Sequence, residues 1–252
     1  ELLATLGASP APCPPRLIVT ESERAGFTER FLGGSGGDPT PPLLGLNPGA
    51  EYGPAKRWPE DRFIAAALAV SEKHPARWIV FGGPADVPVS SRITEALNRA
   101  MGSAAAVSVA GRTSLRELMA GLSLCRALLT NDTGPMHVAA ALGTPVVVPF
   151  GSTSAELTGP GLPGDARHAL LRGEAPCAPC FLRECPVDFG CMKSISPAHA
   201  AAAMVSAAGL PAPMNDHRDQ DRPFSADSSR KVPGRSAASS FRRGSAPFFE
   251  SS

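Results

Sequence analysis

A polar junction between a strand-like run and a helix-like run is the first candidate for chemistry in this chain. The apolar residues 127–129 lead into TNDTGPMH at 130–137, and a helix of small residues is predicted over 138–142. Such a junction directs backbone N–H groups and the positive end of a helix at one spot, beside the side chains of Asp132 and Thr133. At the carboxyl end of a strand, this combination predicts a site for a phosphorylated ligand.

A second loop adds positive charge. The apolar run 43–46 continues as NPGAEYGPAKRWP at 47–59, and Pro59 is expected in the first turn of a helix. Because parallel strands all end at the same edge of a sheet, Lys56 and Arg57 are expected close to the helix start at Gly134. Cationic side chains and free N–H groups together would hold a diphosphate.

Asp132 carries the opposite sign and needs a different partner. A carboxylate beside a phosphate is unfavourable unless it accepts hydrogen bonds, and the hydroxyl groups of a sugar are suitable donors. A diphosphate together with a polyol describes a nucleotide sugar. The residues of the two loops therefore predict a nucleotide-sugar site.

Each of these residues also has a purely structural interpretation. Lys56 and Arg57 could be a solvated pair, Asp132 and Thr133 could simply cap the helix, and His137 could be a hydrogen-bonded structural group. Their joint occurrence favours the functional interpretation. The chain has neither G-x-G-x-x-G after a strand nor G-x-x-x-x-G-K-[ST], so its sequence supports neither a Rossmann dinucleotide site nor a P-loop.

The bulk properties restrict the class of protein. A length of 252 residues with 43% hydrophobic content allows one substantial core or two small ones in a soluble, globular chain. The net charge of +1, from 24 basic and 23 acidic residues, argues against nucleic acid as a partner. Without a long apolar run or the layout of a signal peptide, the sequence predicts a cytoplasmic protein. Because it begins with Glu1, it is expected to start inside a longer chain.

Strand-like and helix-like patterns alternate along most of the chain. Strands are predicted at 16–20, 43–46, 77–81, 105–109, 127–130 and 145–151, with a further short run at 168–171, and helices at 60–71, 89–101, 115–123, 138–142 and 197–208. The five runs from 43 to 151 predict an α/β fold with a Rossmann-like, doubly wound parallel sheet. A helix-like opening is expected at 2–6. The polar composition after 210 predicts a disordered tail.

Four cysteines lie close together near the end of the predicted domain: Cys177, Cys180, Cys185 and Cys191. They could ligate zinc, pair as disulfides or remain free and partly buried. A reducing compartment disfavours disulfides, which leaves a structural metal and free thiols as alternatives. A zinc-dependent interaction protein is a further hypothesis on the same residues.

The two loops also resemble a known family. The stretches 47–59 and 131–145, continued by GSTS at 151–154, closely resemble the signatures of ADP-heptose:lipopolysaccharide heptosyltransferases of glycosyltransferase family nine, especially the heptosyltransferase II branch. The resemblance covers about 43–208 and implies the C-terminal, donor-binding half of a GT-B glycosyltransferase. It implies a nucleotide-sugar-binding domain at 43–210, after a linker and remnant of an N-terminal acceptor domain at 1–42. The disordered tail would then occupy 211–252.

The resemblance implies an inverting transfer of heptose from ADP-heptose to the inner core of lipopolysaccharide, with no cofactor and no metal at the reacting centre. Lys56 would neutralise the departing diphosphate, assisted by the N–H groups of Thr133 and Gly134. Asp132 would hold heptose hydroxyls, and Thr113 would line the nucleotide pocket.

His137 is assigned to the donor-binding residues by the same resemblance. The family carries its acceptor site and its proposed carboxylate base in the N-terminal domain, so the acceptor half is expected to be missing from this sequence. Contact with the inner membrane would be peripheral at most. Two alternatives remain: a nucleotide-sugar-binding module without independent catalysis, and a related glycosyltransferase with another donor sugar.

Overall fold

The computed structural model describes residues 5, 7, 12–34, 41–162 and 164–211. Two compact units are distinguished along the chain, Glu1–Pro213 and Met214–Ser252, and the fold described here belongs to the first. Most of the predicted opening helix at 2–6 and all but the first residue of the predicted tail at 211–252 lie outside the described residues. Among the helices that are described, none has both the length and the apolar content needed to cross a bilayer.

Six parallel strands form one sheet. They are β1 (Leu43–Asn47), β2 (Arg77–Val80), β3 (Ala106–Ser108), β4 (Leu128–Thr130), β5 (Val146–Phe150) and β6 (Ala169–Arg172). The order across the sheet is β3-β2-β1-β4-β5-β6, and every neighbouring pair is parallel. This order reverses direction between β1 and β4, which is the arrangement of a doubly wound Rossmann-like sheet. The predicted fold class is confirmed, and the short run at 168–171 supplies the sixth strand.

Helices cover both faces of the sheet. They are α1 (Glu21–Phe27), α2 (Glu60–Lys73), α3 (Val87–Met101), α4 (Leu115–Leu124), α5 (Gly134–Leu142), α6 (Ala155–Thr158), α7 (Gly190–Ser194) and α8 (Pro197–Ala207). One hydrophobic core packs α2, α3 and α8 on one face, and a second packs α1, α4 and α5 on the other. Strands β1, β4 and β5 are buried along their whole length, which explains their continuous apolar sequence.

The helix boundaries follow local capping chemistry. Helix α4 begins as predicted, because the hydroxyl of Ser114 accepts a hydrogen bond from the backbone N–H of Glu117 while the Glu117 carboxylate accepts one from the N–H of Ser114. Helix α3 begins two residues before the predicted position, at Val87. Pro88 lies in its first turn, where the missing N–H of proline costs no helical hydrogen bond.

The strand predicted at 16–20 is wrong. Residues 12–20 form no regular element, and the backbone N–H of Leu17 donates to the carbonyl of Ala141 at the end of α5 at 2.9 Å. The local preference of Leu, Ile, Val and Thr for strands does not by itself supply a pairing partner. The next residues instead form α1, which begins with a capping box between Thr20 and Glu23 and continues as a π-helical turn at Thr28–Leu32.

Helix α1 and the turn that follows it belong to the packed structure. Phe27 is 1% exposed, and its ring lies 4.9 Å from that of Phe31, which is also buried. The ring of Phe27 packs so closely on α4 that a side-chain carbon added to Gly121 would lie 2.5 Å from it. Part of the region predicted as a linker at 1–42 therefore contributes to the core. The boundary between residues 42 and 43 stays a prediction.

Truncating Phe27 tests the contribution of α1 to stability. We expect Phe27→Ala to lower the free energy of unfolding by about 3–5 kcal/mol, because the substitution removes a buried ring and leaves a cavity. Urea denaturation followed by circular dichroism measures the change. Ile18→Ala is the control, since Ile18 is 79% exposed and should change stability by less than about 0.5 kcal/mol. Equal losses in the two variants would contradict a core role for α1.

Candidate active site

Buried polar side chains join the ends of β1 and β4, the two strands between which the sheet order reverses. The side-chain amide of Asn47 donates to the hydroxyl of Thr130 at 3.1 Å. The amide nitrogen of Asn131 donates to the carbonyl of Pro48 at 2.8 Å, and its oxygen accepts from the backbone N–H of Trp58 at 2.9 Å. Buried backbone groups need such partners, so Asn131 fixes the loop after β1 against the loop after β4.

The loop after β1 is anchored at the end that leads into α2. Trp58 is buried, and its indole N–H donates to the carbonyl of Ile195 at 3.3 Å. Its ring packs edge-on against Phe63 of α2, with the ring centroids 5.1 Å apart. Lys56 lies two residues earlier, in a short 3₁₀ turn. The buried tryptophan therefore restricts where the lysine can be placed.

Residues 181–183 cross over the same loop and are called the strap. The carbonyl of Phe181 accepts a hydrogen bond from the hydroxyl of Tyr52 at 3.1 Å, and the carbonyl of Arg183 accepts one from the N–H of Ala55 at 3.1 Å. Gly53 allows this approach: its φ is 158°, and an added side-chain carbon would lie 2.4 Å from the carbonyl oxygen of Arg183. The strap therefore fixes the segment from which Lys56 projects.

The strap also binds the loop after β5. The backbone N–H of Phe181 donates to the carbonyl of Ser152 at 2.7 Å. The loops after β1 and β5 thus bond to the same short segment. The strap belongs to the cysteine-bearing region, whose role the sequence left open. This region therefore helps to position Lys56.

A buried ion pair lies at the centre of the site. The ammonium nitrogen of Lys56 is 2.7 Å from Oδ2 of Asp132, and the two side chains are 13% and 5% exposed. The same ammonium lies 5.1 Å from the centre of the Tyr52 ring. The structure therefore brings together the two residues that the sequence analysis placed in the reacting part of the site.

Two hydroxyl groups complete the surroundings of Asp132. Thr153, just after β5, donates to Oδ2 at 2.7 Å, and Thr158, the last residue of α6, donates to the same oxygen at 2.8 Å. Neither threonine was predicted from the sequence as a site residue. The GSTS stretch at 151–154 was a signal for the loop that carries Thr153, but nothing in the sequence indicated Thr158.

A cavity of about 280 Å³ opens at the carboxyl ends of the strands. Thr113, after β3, and Thr133, after β4, both line it, whereas Lys56 and Asp132 are not among its lining residues. Asp86 also lines the cavity and accepts a hydrogen bond from the N–H of Gly83 at 3.0 Å. Gly49 allows its carboxylate to approach, because an added side-chain carbon there would lie 2.2 Å from Oδ2 of Asp86.

The amino end of α5 adjoins the cavity and is open. Thr133 precedes the helix in an extended conformation, and its side chain forms no capping hydrogen bond. Among the described residues, no acceptor is found for the backbone N–H groups of Thr133 and Gly134. A side-chain carbon added to Gly134 would meet no atom within 4 Å. The positive end of the helix is therefore accessible to an anion.

His137 is set apart from these residues. It lies on the exposed surface of α5 and is not one of the described residues that line the cavity. Arg57 donates to the carbonyl of Ala50 at 3.2 Å and lies 4.0 Å from Asp86. The roles assigned by resemblance to Lys56, Asp132 and the other site residues stay predictions.

Two of the cysteines, Cys125 and Cys191, are buried. All six in the chain are free thiols. Burial raises the pKa of the Cys125 and Cys191 thiols, and Cys185 accepts a hydrogen bond from the N–H of Phe189 at 3.3 Å. Over the described ranges, no group of three or more His, Cys, Asp or Glu side chains is arranged to hold a metal ion. The structural-metal alternative stays a hypothesis.

Comparison with known proteins gives consistent matches. The sequence profile of glycosyltransferase family 9 (heptosyltransferase) matches residues 13–189. Lipopolysaccharide heptosyltransferase 2 of Salmonella typhimurium is 37% identical over 147 residues, which are 58% of this chain and 40% of that protein. Lipooligosaccharide heptosyltransferase 2 of Campylobacter jejuni is 32% identical over 157 residues, which are 62% and 47% of the two chains. This chain therefore spans less than half the length of these relatives.

Solved structures agree with the sequence matches. The structure of E. coli ADP-heptose lipopolysaccharide heptosyltransferase II superposes with a TM-score of 0.62 at 27% identity, covering 79% of this chain and 55% of that one. A family 9 glycosyltransferase from Veillonella parvula has the same fold, with a TM-score of 0.63 at 24% identity over 83% of this chain and 58% of its own. The family profile covers well over half of the sequence, and the chain belongs to glycosyltransferase family 9, the heptosyltransferases.

Proposed function

We propose that the described residues form the donor-binding domain of a heptosyltransferase that transfers heptose from ADP-heptose to the inner core of lipopolysaccharide. One observation carries the proposal. A largely buried lysine–carboxylate pair, Lys56 and Asp132, lies on the loops after β1 and β4, where the sheet order reverses, and Thr133, the residue after Asp132, lines a cavity at the open amino end of α5. Open α/β sheets bind their ligands in the crevice at this point.

The site suits the diphosphate of the donor. The N–H groups of Thr133 and Gly134 point out from the positive end of a nine-residue helix. Lys56 adds a full positive charge from the neighbouring loop. When the bond to the sugar breaks, negative charge develops on the departing diphosphate, and preorganised positive groups in a partly buried site stabilise that charge.

The nucleoside occupies the adjoining cavity in this proposal. Thr113 lines the cavity and offers a hydroxyl that can donate or accept a hydrogen bond. The carboxylate of Asp86 accepts hydrogen bonds and suits the vicinal hydroxyls of a ribose. The glycines Gly49, Gly82 and Gly83 line the same space, so that few side chains obstruct a flat base.

The sugar lies against Asp132. All the hydrogen bonds to its carboxylate within the described structure reach Oδ2, from Lys56, Thr153 and Thr158. Oδ1 is left as an acceptor for the hydroxyl groups of the transferred sugar. This division of roles between the two oxygens agrees with the sugar contact that the family resemblance implies.

Transfer needs more than a donor site. The resemblance assigns the acceptor site and a carboxylate base to an N-terminal domain, and an acceptor reacts efficiently only when it is held against the anomeric carbon. Lipopolysaccharide core is the partner on that side, with peripheral contact with the inner membrane at most. We assign the reaction to the cytoplasm, in keeping with six cysteines that are all free thiols.

A second candidate is a module that binds the nucleotide sugar without transferring it. The donor-side groups Lys56 and Asp132 lie together within the described residues, and they are what such a module requires. Calorimetry with ADP and with ADP-heptose, followed by a turnover assay on lipopolysaccharide core, separates the candidates. Binding with turnover supports the transferase, and binding without turnover supports the module. If neither ligand binds, both candidates are wrong.

Removing the lysine charge tests the diphosphate contact. We expect Lys56→Met to weaken the binding of ADP and of ADP-heptose to a similar extent, by about tenfold or more, because both ligands lose the same charged contact. Isothermal titration calorimetry measures both affinities. Lys73→Met is the matched control: Lys73 is exposed at the end of α2, which runs from the loop after β1 to the opposite edge of the sheet. An unchanged ADP affinity in Lys56→Met would refute the contact.

Removing the carboxylate tests the sugar contact. We expect Asp132→Ala to weaken ADP-heptose binding about tenfold without weakening ADP binding, because ADP lacks the sugar hydroxyls that this carboxylate would accept. The ratio of the two dissociation constants is the quantity to compare. Asp61→Ala, on the exposed side of α2, should leave the ratio unchanged. Equal losses for both ligands in Asp132→Ala would show that the carboxylate does not recognise the sugar.

The buried side-chain amide of Asn131 gives another test. Asn131→Ala should lower the free energy of unfolding by about 1–3 kcal/mol and also weaken ADP binding, because the backbone groups it holds are left without partners. Asn98 is a matched control, since its amide bonds the N–H and carbonyl of Ala106 at 2.8 and 3.0 Å. Asn98→Ala should lower stability without changing ADP affinity. Loss of ADP binding in both variants would indicate a general effect of destabilisation.

A further inference from the structure

We infer that the Lys56–Asp132 contact is an exchangeable ion pair, in which the donor diphosphate takes over the lysine and the hydroxyls of Thr153 and Thr158 keep the released carboxylate in place. The inference rests on the proposed function and extends it. It assigns a positioning role to Thr153 and Thr158. These threonines follow β5, whereas Lys56 follows β1.

Three hydrogen-bond donors surround one carboxylate oxygen of Asp132. Lys56, Thr153 and Thr158 all reach Oδ2 of Asp132, at 2.7, 2.7 and 2.8 Å. A carboxylate offers about four lone-pair sites on its two oxygens, which is about two for each. Three donors therefore exceed what this oxygen accommodates well. One of them can leave without creating an unfilled acceptor site.

Lys56 is the donor suited to leave. Its ammonium stands at the end of a flexible four-carbon stem and can rotate toward another anion. The strap holds the backbone beneath it, through Ala55 and Tyr52, so movement of the side chain does not require movement of the loop. A diphosphate at the start of α5 would lie near, because Thr133 directly follows Asp132 in the chain.

The threonines are suited to stay. Asp132 is 5% exposed, and a buried carboxylate without donors is costly. Both hydroxyls come from the segment 153–158, which is separate from the lysine loop, so their positions do not depend on Lys56. As neutral groups, they satisfy the carboxylate without competing with the lysine for the phosphate charge.

The two hydroxyls differ in one respect. The Thr158 hydroxyl also lies 3.1 Å from the carbonyl of Ser154, and its single proton can serve one acceptor at a time. Within the described structure, the Thr153 hydroxyl has Asp132 as its acceptor. Thr153 is therefore the more dependable of the two donors, and its substitution is the sharper test.

An experiment without ligand tests whether the threonine hydroxyls can satisfy the Asp132 carboxylate when Lys56 is absent. Urea unfolding is measured for the full chain, for Thr153→Val, for Lys56→Met and for the double variant. We expect Thr153→Val to lower the urea midpoint more in the Lys56→Met background than in the unaltered chain, because the carboxylate then has one hydroxyl left. Thr153→Ser should restore the midpoint in both backgrounds.

Thr144→Val is the matched control. Thr144 is also buried, and its hydroxyl donates to the carbonyl of Leu122 at 2.9 Å, away from Asp132. Its effect on the urea midpoint should be the same with and without Lys56. An equal effect of Thr153→Val in the two backgrounds would overturn the inference. This outcome involves no nucleotide, so it is distinct from a failure of the proposed function.

ADP affinity provides a second measurement, which decides the matter if Lys56→Met does not fold. We expect Thr153→Val to weaken ADP binding about tenfold, because a carboxylate that has lost a hydroxyl donor retains the lysine more strongly. Thr153→Ser should bind ADP as the unaltered chain does, and Thr144→Val should too. Unchanged ADP affinity in Thr153→Val would overturn the inference. If the unaltered chain binds no ADP, the proposed function is wrong and the urea comparison alone decides the role of the threonine.

Discussion

A buried carboxylate must be surrounded by hydrogen-bond donors, and the site is arranged around this requirement at Asp132. The three donors to its Oδ2 come from the loop after β1, the loop after β5 and the end of α6. Segments far apart in the sequence are thereby held at one point. A buried carboxylate that lost all of these donors would be left unsatisfied, which is costly, so the loops cannot all separate cheaply.

The sheet makes this convergence possible. Strands β1 and β4 are neighbours, although their paired residues are 83 positions apart in sequence, and the helices that follow them pack on opposite faces. A crevice opens between the two loops for this reason. Asn131 closes its base by bonding Pro48 and Trp58. Apolar packing on both faces provides the rigidity, and a small number of buried amides and hydroxyls determines which loops meet.

The sequence predicted the parts of the fold that depend on local patterns. Five strands were recognisable as apolar runs, and the capping box at Ser114 located the start of α4. Helix α1 could also have been found, because Thr20 and Glu23 have the same spacing as Ser114 and Glu117. The strand predicted at 16–20 was wrong because strand propensity is local, whereas a strand exists only where a partner edge is available.

The site was predictable only in part, for a related physical reason. Lys56 and Asp132 carry unlike charges on loops that parallel strands must bring to the same edge, so their proximity followed from the fold class. Thr153 and Thr158 are neutral hydroxyls 21 and 26 residues after Asp132. Threonine is common and its sequence position gives no direction to its hydroxyl. Only the three-dimensional course of the loop after β5 reveals where these groups point.

The strap has a consequence for how the sequence can change over time. It holds the lysine loop through the main-chain carbonyls of Phe181 and Arg183, which every amino acid possesses. Substitutions of the strap side chains would leave both acceptors in place, whereas replacement of Gly53 would introduce a collision with Arg183. The two partners in this contact are therefore under unequal selection: we expect the strap to tolerate sequence drift, while the position facing it is restricted to glycine.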